Sequence, residues 1–395
     1  MIPAIPRIRT WLAITVGIAG SSCGVRESGG DAAASPTLVE DGRIADNGGG
    51  PAYEFTSIEQ VLERGDSVFI RQRGVQEIRV FSSEGQHLAT YGRAGSGPGE
   101  FQSLEAMGFL GDTLWTIDGD LRRLSYFTSG GALLTTQQYE PVSPSLGGGS
   151  VFFFPYFKAL LNDGRVLGFG GWAGRDIASG RVTATPQLLM TRAGRTLDTL
   201  AWVPIGHEHM IIQSDRAIMY MGQPYGDAAI TVYSSEGNRL YVVDGPAAQA
   251  SATAQVTVTA INVDGDTAWV TAMPYEPVRL EEHEVDSVRN AYRKAHATRF
   301  TTEQVDKAFY VPAFRPPLSD AVAAVDGALW IRWDDRTRSG GVTVIDASGR
   351  VRQHLTVESR AKVVWASADH MWLERKDEND VPSLVRYRFS SNSHR

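Results

Sequence analysis

The chain has 395 residues, a single cysteine and no long run of lysine or arginine. One cysteine excludes an intrachain disulfide. A formal net charge of −7 without a basic stretch argues against nucleic-acid binding, which needs a surface rich in lysine and arginine. The sequence contains no nucleophile-elbow, HExxH or phosphate-loop motif. These absences favour a protein without catalytic activity and without a cofactor. We therefore assign no catalytic residue and no metal ligand from the sequence.

Glycine and short apolar segments are abundant by contrast, with 41 glycines and 42% hydrophobic residues. Short segments such as Thr113–Thr116 and Ala328–Ile331 recur, and each is followed by a second strand and a glycine turn. A supersecondary unit that repeats every 40–50 residues or so predicts a β-propeller. We interpret these recurring segments as the inner strands of six blades within residues 51–390, an all-β fold.

Two further segments leave a seventh blade as the alternative. We place Ala217–Met221 at the outer edge of the third blade and Thr267–Val270 in the fourth blade. We expect Ala52–Ile58 to pair with the last strands of the chain, because closing the ring removes two exposed sheet edges.

One segment departs from the strand pattern. Apolar residues recur at helical spacing between Leu280 and Phe300, with charged residues at the other positions. Thr301 and Gln304 then have the spacing of a capping box. We predict a short helical insertion at about residues 280–310, either a lid on the fourth or fifth blade or a partner-binding arm.

The amino terminus has the pattern of an export signal. Two arginines precede a short apolar run, and small residues lead to Cys23. This order is typical of a secretory signal peptide, here residues 1–22, and the apolar run is too short to span a membrane. We predict that Cys23 is lipidated, with ordinary secretion as the alternative. Residues 23–50 are rich in Gly, Ala, Ser and Asp and are predicted to form a disordered tether.

Several segments together resemble a known group of proteins: Gly50–Phe55, the loop Gly92–Phe101, Asp326–Ile331 and Leu384–Phe389. The part of the chain from residue 51 to residue 389 resembles uncharacterised bacterial six-bladed β-propellers, related to NHL repeat propellers and often lipoproteins. The resemblance implies a propeller in the cell envelope. The group has no established shared reaction, so it implies no catalytic residue.

Three other patterns have a functional and a structural interpretation. The run His207-Glu208-His209 would suit a metal site, but no third ligand is nearby, and we interpret it as a solvated loop. We interpret Asp118-Gly119-Asp120 as a turn. The aromatic run Val151–Phe157 fits core packing between blades, and an exposed platform for a glycan or an apolar ligand is the alternative.

The leading hypothesis is an extracytoplasmic, lipid-anchored monomer that binds an unknown protein or small molecule at the mouth of its channel. A metal-dependent hydrolase or lactonase of the six-bladed kind is one alternative, and a structural subunit of a cell-envelope complex is the other. Loops that follow the inner strands converge at a channel mouth, so they supply the charged candidates for the binding site. These are Arg71, Arg73, Asp118, Asp334 and Asp335.

Overall fold

A computed structural model describes residues 36–46, 49–140, 145–146, 151–215, 217–245, 254–334, 336–337 and 341–390. The predicted signal peptide and Cys23 lie outside the described residues, as does Asp335. None of the helices in these ranges is long and apolar enough to cross a membrane.

The described chain is a six-bladed β-propeller with a short helical insertion, as predicted. The strands, in chain order, are β1 (Thr37–Ile44), β2 (Ile58–Arg64), β3 (Ser67–Gln72), β4 (Ile78–Ser82), β5 (His87–Tyr91), β6 (Leu104–Leu110), β7 (Thr113–Asp118), β8 (Arg123–Phe127), β9 (Leu133–Gln138), β10 (Ser145–Leu146), β11 (Val151–Leu160), β12 (Val166–Trp172), β13 (Ala184–Met190), β14 (Thr196–Pro204), β15 (His209–Gln213), β16 (Ile218–Gly222), β17 (Ile230–Ser234), β18 (Arg239–Asp244), β19 (Gln255–Asn262), β20 (Thr267–Pro274), β21 (Leu318–Ala323), β22 (Leu329–Trp333), β23 (Gly341–Ile345), β24 (Val351–Thr356), β25 (Lys362–Ala366), β26 (His370–Lys376) and β27 (Pro382–Ser390). The helices are α1 (Gly174–Ala178), α2 (Glu282–His296) and α3 (Thr302–Ala308).

Each blade is an antiparallel sheet of four consecutive strands, apart from the sixth blade, which takes β1 from the other end of the chain, and the third, which adds the short β10. The first strands of neighbouring blades contact one another around the central axis. These innermost strands are β2, β6, β11, β17, β21 and β25.

The segments that we predicted as inner strands are the second strands of their blades. Thr113–Thr116 lies in β7, and Ala328–Ile331 overlaps β22. A second strand is covered on both faces by neighbouring blades, so its residues are almost all buried and its sequence is a continuous apolar run. The true innermost strands face the channel on one side and carry charged residues there, which hides them from a search for apolar runs.

The ring closes differently from our prediction. β1, at Thr37–Ile44, pairs with β27 as the outermost strand of the sixth blade. Ala52–Ile58 instead leads through a 3₁₀ turn, Pro51–Tyr53, into β2. The predicted tether of residues 23–50 is therefore wrong at Thr37–Ile44, which forms a strand that covers the edge of β27.

A unit outside the blades joins β15, β16, α2 and α3, and we call it the hairpin–helix unit. Met210 and Ile212 of β15 pack against Val285 of α2 and Val305 of α3. The predicted capping box of Thr301 and Gln304 is present. Ile218–Gly222 belongs to this unit and not to the edge of the third blade, whereas Thr267–Pro274 forms the outer strand of the fourth blade, as predicted.

The glycine-rich loop Gly92–Phe101 joins β5 to β6 and so crosses from the first blade to the second. Gly92 has a φ of 76°, and a Cβ there would lie 2.3 Å from the ring of the buried Phe101. Glu100 holds the loop together, since its carboxylate accepts hydrogen bonds from Gly97 N at 2.7 Å and from Arg93 Nε at 2.8 Å.

Candidate functional site: the channel mouth

Arg71 is the first of the predicted site residues at the channel mouth. It ends the second strand of the first blade and is 8% exposed. Its Nη1 donates to Glu59 Oε2 at 2.7 Å and to the carbonyl of Leu104, at the start of the next blade, at 3.2 Å. Burial lowers the pKa of Arg71, and the charge of Glu59 opposes that shift. Arg71 therefore binds two blades together and presents one edge to the channel.

Glu59 lies at a β-bulge of the innermost strand, between Ile58 and Gln60. Bulges occur at the rims of closed sheets and redirect a side chain. Arg73 Nε donates to the other carboxylate oxygen of Glu59, Oε1, at 2.5 Å. The side chain of Arg73 is 77% exposed. Burial raises the pKa of Glu59, but the hydrogen bonds and charges of Arg73 and Arg71 outweigh it, so the pKa is lowered.

A second ion pair faces the channel from the next two blades. Glu105 lies at a bulge of β6, between Leu104 and Ala106, and Lys158 lies at a bulge of β11. Lys158 Nζ is 3.3 Å from Glu105 Oε2 and 5.5 Å from the centre of the Phe169 ring. Three blades thus bring two carboxylates and two cations to one surface.

The aromatic run of β11 has both buried and exposed members. Phe153 and Phe157 are buried in the core between blades, whereas Phe154 and Tyr156 are exposed. The Tyr156 ring stacks on Phe169, with ring centres 5.2 Å apart and planes at 17°. Because strand residues alternate between faces, one apolar run supplies both the core and an exposed platform.

The two ion pairs, Tyr156 and Phe169 line a cavity of about 710 Å³ at the channel mouth. This volume falls in the range of roughly 300–1,000 Å³ that is typical of small-molecule sites. Its walls come from the first five blades and from the start of β15. The residues used below are Glu59, Arg71, Glu105, Tyr156, Lys158 and Phe169.

Asp118 does not reach the mouth. It is 1% exposed, and its carboxylate accepts hydrogen bonds from the backbone N–H groups of Gln102, Ser103 and Leu121 at 2.7, 3.3 and 2.8 Å. Gln72 lies at the same register in the first blade and accepts from Thr56 N at 2.9 Å. Asp118 therefore holds the loop that begins the second blade, and its carboxylate is buried away from the channel.

Asp334 borders a different cavity, of about 470 Å³, together with Asp320, Arg332 and Lys362. Burial raises the pKa of Asp320, and the charge of Lys362 opposes that shift. Asp334 Oδ1 lies 3.8 Å from Arg315 Nε. Arg315 also contacts Glu284 of α2 at 2.5 Å, so Asp334 belongs to the contacts that attach α2 to the fifth blade.

The run His207-Glu208-His209 begins the hairpin–helix unit. His207 Nδ1 lies 3.0 Å from Asp227 Oδ1, and the His207 ring stacks on Tyr310 with ring centres 3.4 Å apart. Tyr310 OH donates to Asp227 Oδ2 at 3.1 Å, and burial together with the charge of Asp227 raises the pKa of Tyr310 to about 12. Within the part of the chain that the structure describes, no three His, Cys, Asp or Glu side chains gather as a metal-binding group.

Three charged residues of the mouth were missed from the sequence: Glu59, Glu105 and Lys158. Tyr156 lies in the aromatic run for which an exposed platform was the alternative. The only available signal was a charged residue inside an apolar strand, as Lys158 interrupts the aromatic run of β11. Their gathering at bulges has no local sequence pattern. Of the predicted site residues, Arg71 and Arg73 lie together at Glu59, whereas Asp118 and Asp334 lie elsewhere.

No family model matches the chain, and no curated protein matches it. Solved structures that resemble it include a member of the DUF4221 family from Bacteroides vulgatus, with 11% identity, coverage of 90% of this chain and 98% of that one, and a TM-score of 0.45. A streptogramin B lyase has 10% identity, coverage of 91% and 100%, and a TM-score of 0.41. The calcium-binding protein regucalcin of Agrobacterium tumefaciens has 8% identity, coverage of 89% and 96%, and a TM-score of 0.38. These likenesses carry no argument about what this chain binds or does.

Proposed function

We propose that this protein is an extracytoplasmic binding module, anchored by a lipid on Cys23, and that its ligand site is the channel mouth. The observation that carries the proposal is the cavity of about 710 Å³ in which two ion pairs from three blades surround an exposed aromatic ring. Pockets that bind small molecules combine apolar walls with a few convergent polar groups.

The construction of the mouth favours binding over a purely structural role. Glu59 and Arg71 form an ion pair at 2.7 Å, and Lys158 and Glu105 form another at 3.3 Å. Charged groups that are partly removed from water lower the stability of the fold unless each has a well-placed partner. Their side chains are held by ordered strands, so a ligand meets hydrogen-bonding groups that are already in place.

A thermal-shift screen of small metabolites against the purified protein tests the mouth. A ligand at 100 times its Kd stabilises the folded state by about 2.7 kcal/mol and raises the Tm. We expect Lys158→Met to abolish the shift caused by a ligand found in this way, because the substitution removes a cation and keeps an unbranched side chain of similar size.

The matched control is Arg165→Met in the turn that joins β11 to β12. Arg165 forms an ion pair with Asp163 at 2.7 Å, and neither residue lines the cavity. The control should keep the full ligand-induced shift. If Lys158→Met also keeps it, or if both variants lose it, the mouth is not the ligand site.

The proposed anchor has its own test, based on the short apolar run and small residues that precede Cys23. In cells fed a palmitate label, the wild type should take up label, and Cys23→Ser should take up none and accumulate as precursor. Two acyl chains would give stable attachment, where one chain is marginal. A wild type that is cleaved without lipid would show ordinary secretion instead.

A further inference from the structure

We propose that the channel-mouth cavity recognises a neutral, polyhydroxylated ring, that is, a sugar unit without a charged substituent. Tyr156 is the platform on which that ring stacks. The inference rests on the proposed function, since it names the ligand class of the same site. It is carried by the juxtaposition of an exposed, fixed aromatic ring with two ion pairs that neutralise themselves.

The charges of the mouth leave little to attract an ion. Glu59 is paired with Arg71 and Arg73, and Glu105 with Lys158. Glu208 and His209 also line the cavity, and Glu208 Oε2 lies 3.5 Å from His209 Nε2. The three carboxylates thus match the three lysine and arginine cations in number. A carboxylate ligand at Lys158 would lie beside the Glu105 carboxylate, and two like charges in a partly buried site repel each other. An ammonium ligand at Glu105 would be repelled by Lys158 in the same way.

A hydroxyl group suits this arrangement without breaking it. Lysine and arginine only donate hydrogen bonds, ionised glutamate only accepts them, and a hydroxyl does both. One hydroxyl can therefore accept from Lys158 and donate to Glu105 while the pair stays together. Hydrogen bonds to ionised groups are about twice as strong as those between neutral groups. A neutral ligand with several hydroxyls gains such bonds at both ion pairs.

The Tyr156 ring is held in one orientation. Phe169 supports one side of it in a stacked geometry at 5.2 Å. Gly171 pairs with Phe154 in the sheet, and a Cβ at Gly171 would lie 2.5 Å from the Tyr156 ring, so glycine leaves room for the ring there. The residue remains 41% exposed and lines the cavity. A fixed aromatic surface with low conformational entropy is a good partner for the apolar C–H face of a sugar ring.

Saturation-transfer NMR titrations test the inference with three neutral disaccharides, maltose, cellobiose and N,N′-diacetylchitobiose. Glucuronate and glucosamine serve as the anionic and cationic probes. We expect at least one neutral disaccharide to bind and to bind more tightly than either ionic sugar. Tyr156→Ala should raise its Kd at least tenfold, whereas Tyr156→Phe should keep it within threefold because the stacking face is unchanged.

Tyr220→Ala is the matched control, because Tyr220 is 43% exposed but does not line the cavity. It should leave the Kd unchanged. A second variant tests the ion-pair argument: Glu105→Gln frees Lys158, so glucuronate should bind at least tenfold more tightly than it binds the wild type. No gain of glucuronate binding, in a variant that is folded by circular dichroism, would overturn that argument.

The inference fails if no neutral disaccharide binds, or if one binds equally well to wild type and Tyr156→Ala. It also fails if an ionic probe binds the wild type best. In that last case, loss of the ionic probe in Lys158→Met would leave the mouth as a binding site and remove only the ligand class. A mouth that binds nothing in the metabolite screen would remove the proposed function as well.

Discussion

The first and fifth blades place an arginine at the same register, and the two side chains have different surroundings. Arg71 pairs with Gln60 just after the bulge at Glu59, and Arg332 pairs with Asp320 just after a bulge at Ser319. Both are buried and both reach the carbonyl at the start of the next blade. Arg71 also binds the carboxylate of Glu59.

Arg332 instead donates to backbone carbonyls. Its guanidinium reaches Ala361 O at 3.0 Å, Glu358 O at 3.1 Å and Trp333 O at 3.2 Å. The residue at the bulge makes the difference, since a glutamate in one blade can draw the arginine toward the channel and a serine in the other cannot. The comparison shows that an arginine at this backbone position joins two blades in both cases. It also binds a carboxylate at the channel where the residue at the bulge is glutamate.

The largest effect is expected for Arg332→Met. The substitution removes the guanidinium that donates to the buried carbonyls of Ala361 and Trp333, and each buried unsatisfied group costs about 1–3 kcal/mol. Water entering from the neighbouring cavity offsets part of this loss, so we expect the free energy of unfolding to fall by about 3 kcal/mol. Urea denaturation measures it. A loss smaller than that of Arg71→Met would contradict the assignment of Arg332 to the core of the ring.

Arg71→Met should cost less stability, about 2 kcal/mol, because Glu59 keeps Arg73 and only the Leu104 carbonyl loses a buried donor. The double variant Glu59→Gln/Arg71→Met also removes the half-buried carboxylate that has lost its buried partner, so it should be no less stable than Arg71→Met alone. If the double variant loses the sum of the two single effects, the Glu59–Arg71 pair contributes nothing to stability.

Glu59→Gln should change the pH dependence of stability. Burial raises the pKa of Glu59, but Arg73 and Arg71 lower it further, so the folded pKa lies below the unfolded value of about 4.3. The contribution of the ionised carboxylate is therefore fully present above that pH and is lost as the pH falls through the folded pKa.

Thermal unfolding from pH 7 to pH 3 checks this prediction. The difference between wild type and Glu59→Gln should be constant from pH 7 to about pH 5 and should shrink below it, by no more than about 1 kcal/mol. Glu105→Gln gives a comparison at the other ion pair. A wild-type advantage that grows on acidification would reverse the sign and exclude a lowered pKa.

The smallest effect is expected for Arg73→Ala. Its side chain is 77% exposed, and exposed ion pairs contribute about 0–1 kcal/mol. We expect the free energy of unfolding, measured in urea, to change by less than about 0.5 kcal/mol. Arg71 would then be the partner of Glu59 that contributes to stability. A loss as large as that of Arg71→Met would show that the exposed arginine carries the contact.

Much of the fold could be predicted from the sequence because its signals are local. Glycine turns at regular spacing predicted the blades, apolar residues at helical spacing predicted α2, and Thr301 with Gln304 predicted the start of α3. The innermost strands were harder to recognise, because one face of each lines the channel and carries charged residues such as Glu59 and Lys158. The predicted signal peptide and the lipid on Cys23 remain predictions.

The sequence by itself determined the architecture of this protein, because its signals are local. Each depends on a few neighbouring residues: the alternation of buried and exposed residues, the turns and the helix cap. Only the tertiary structure decided how the ring closes and where the mouth lies. β1 pairs with β27 from the far end of the chain, and Lys158 meets Glu105 across 53 residues. Such contacts depend on how blades stack and where strands bulge, and these are set by packing between distant segments that no local pattern records.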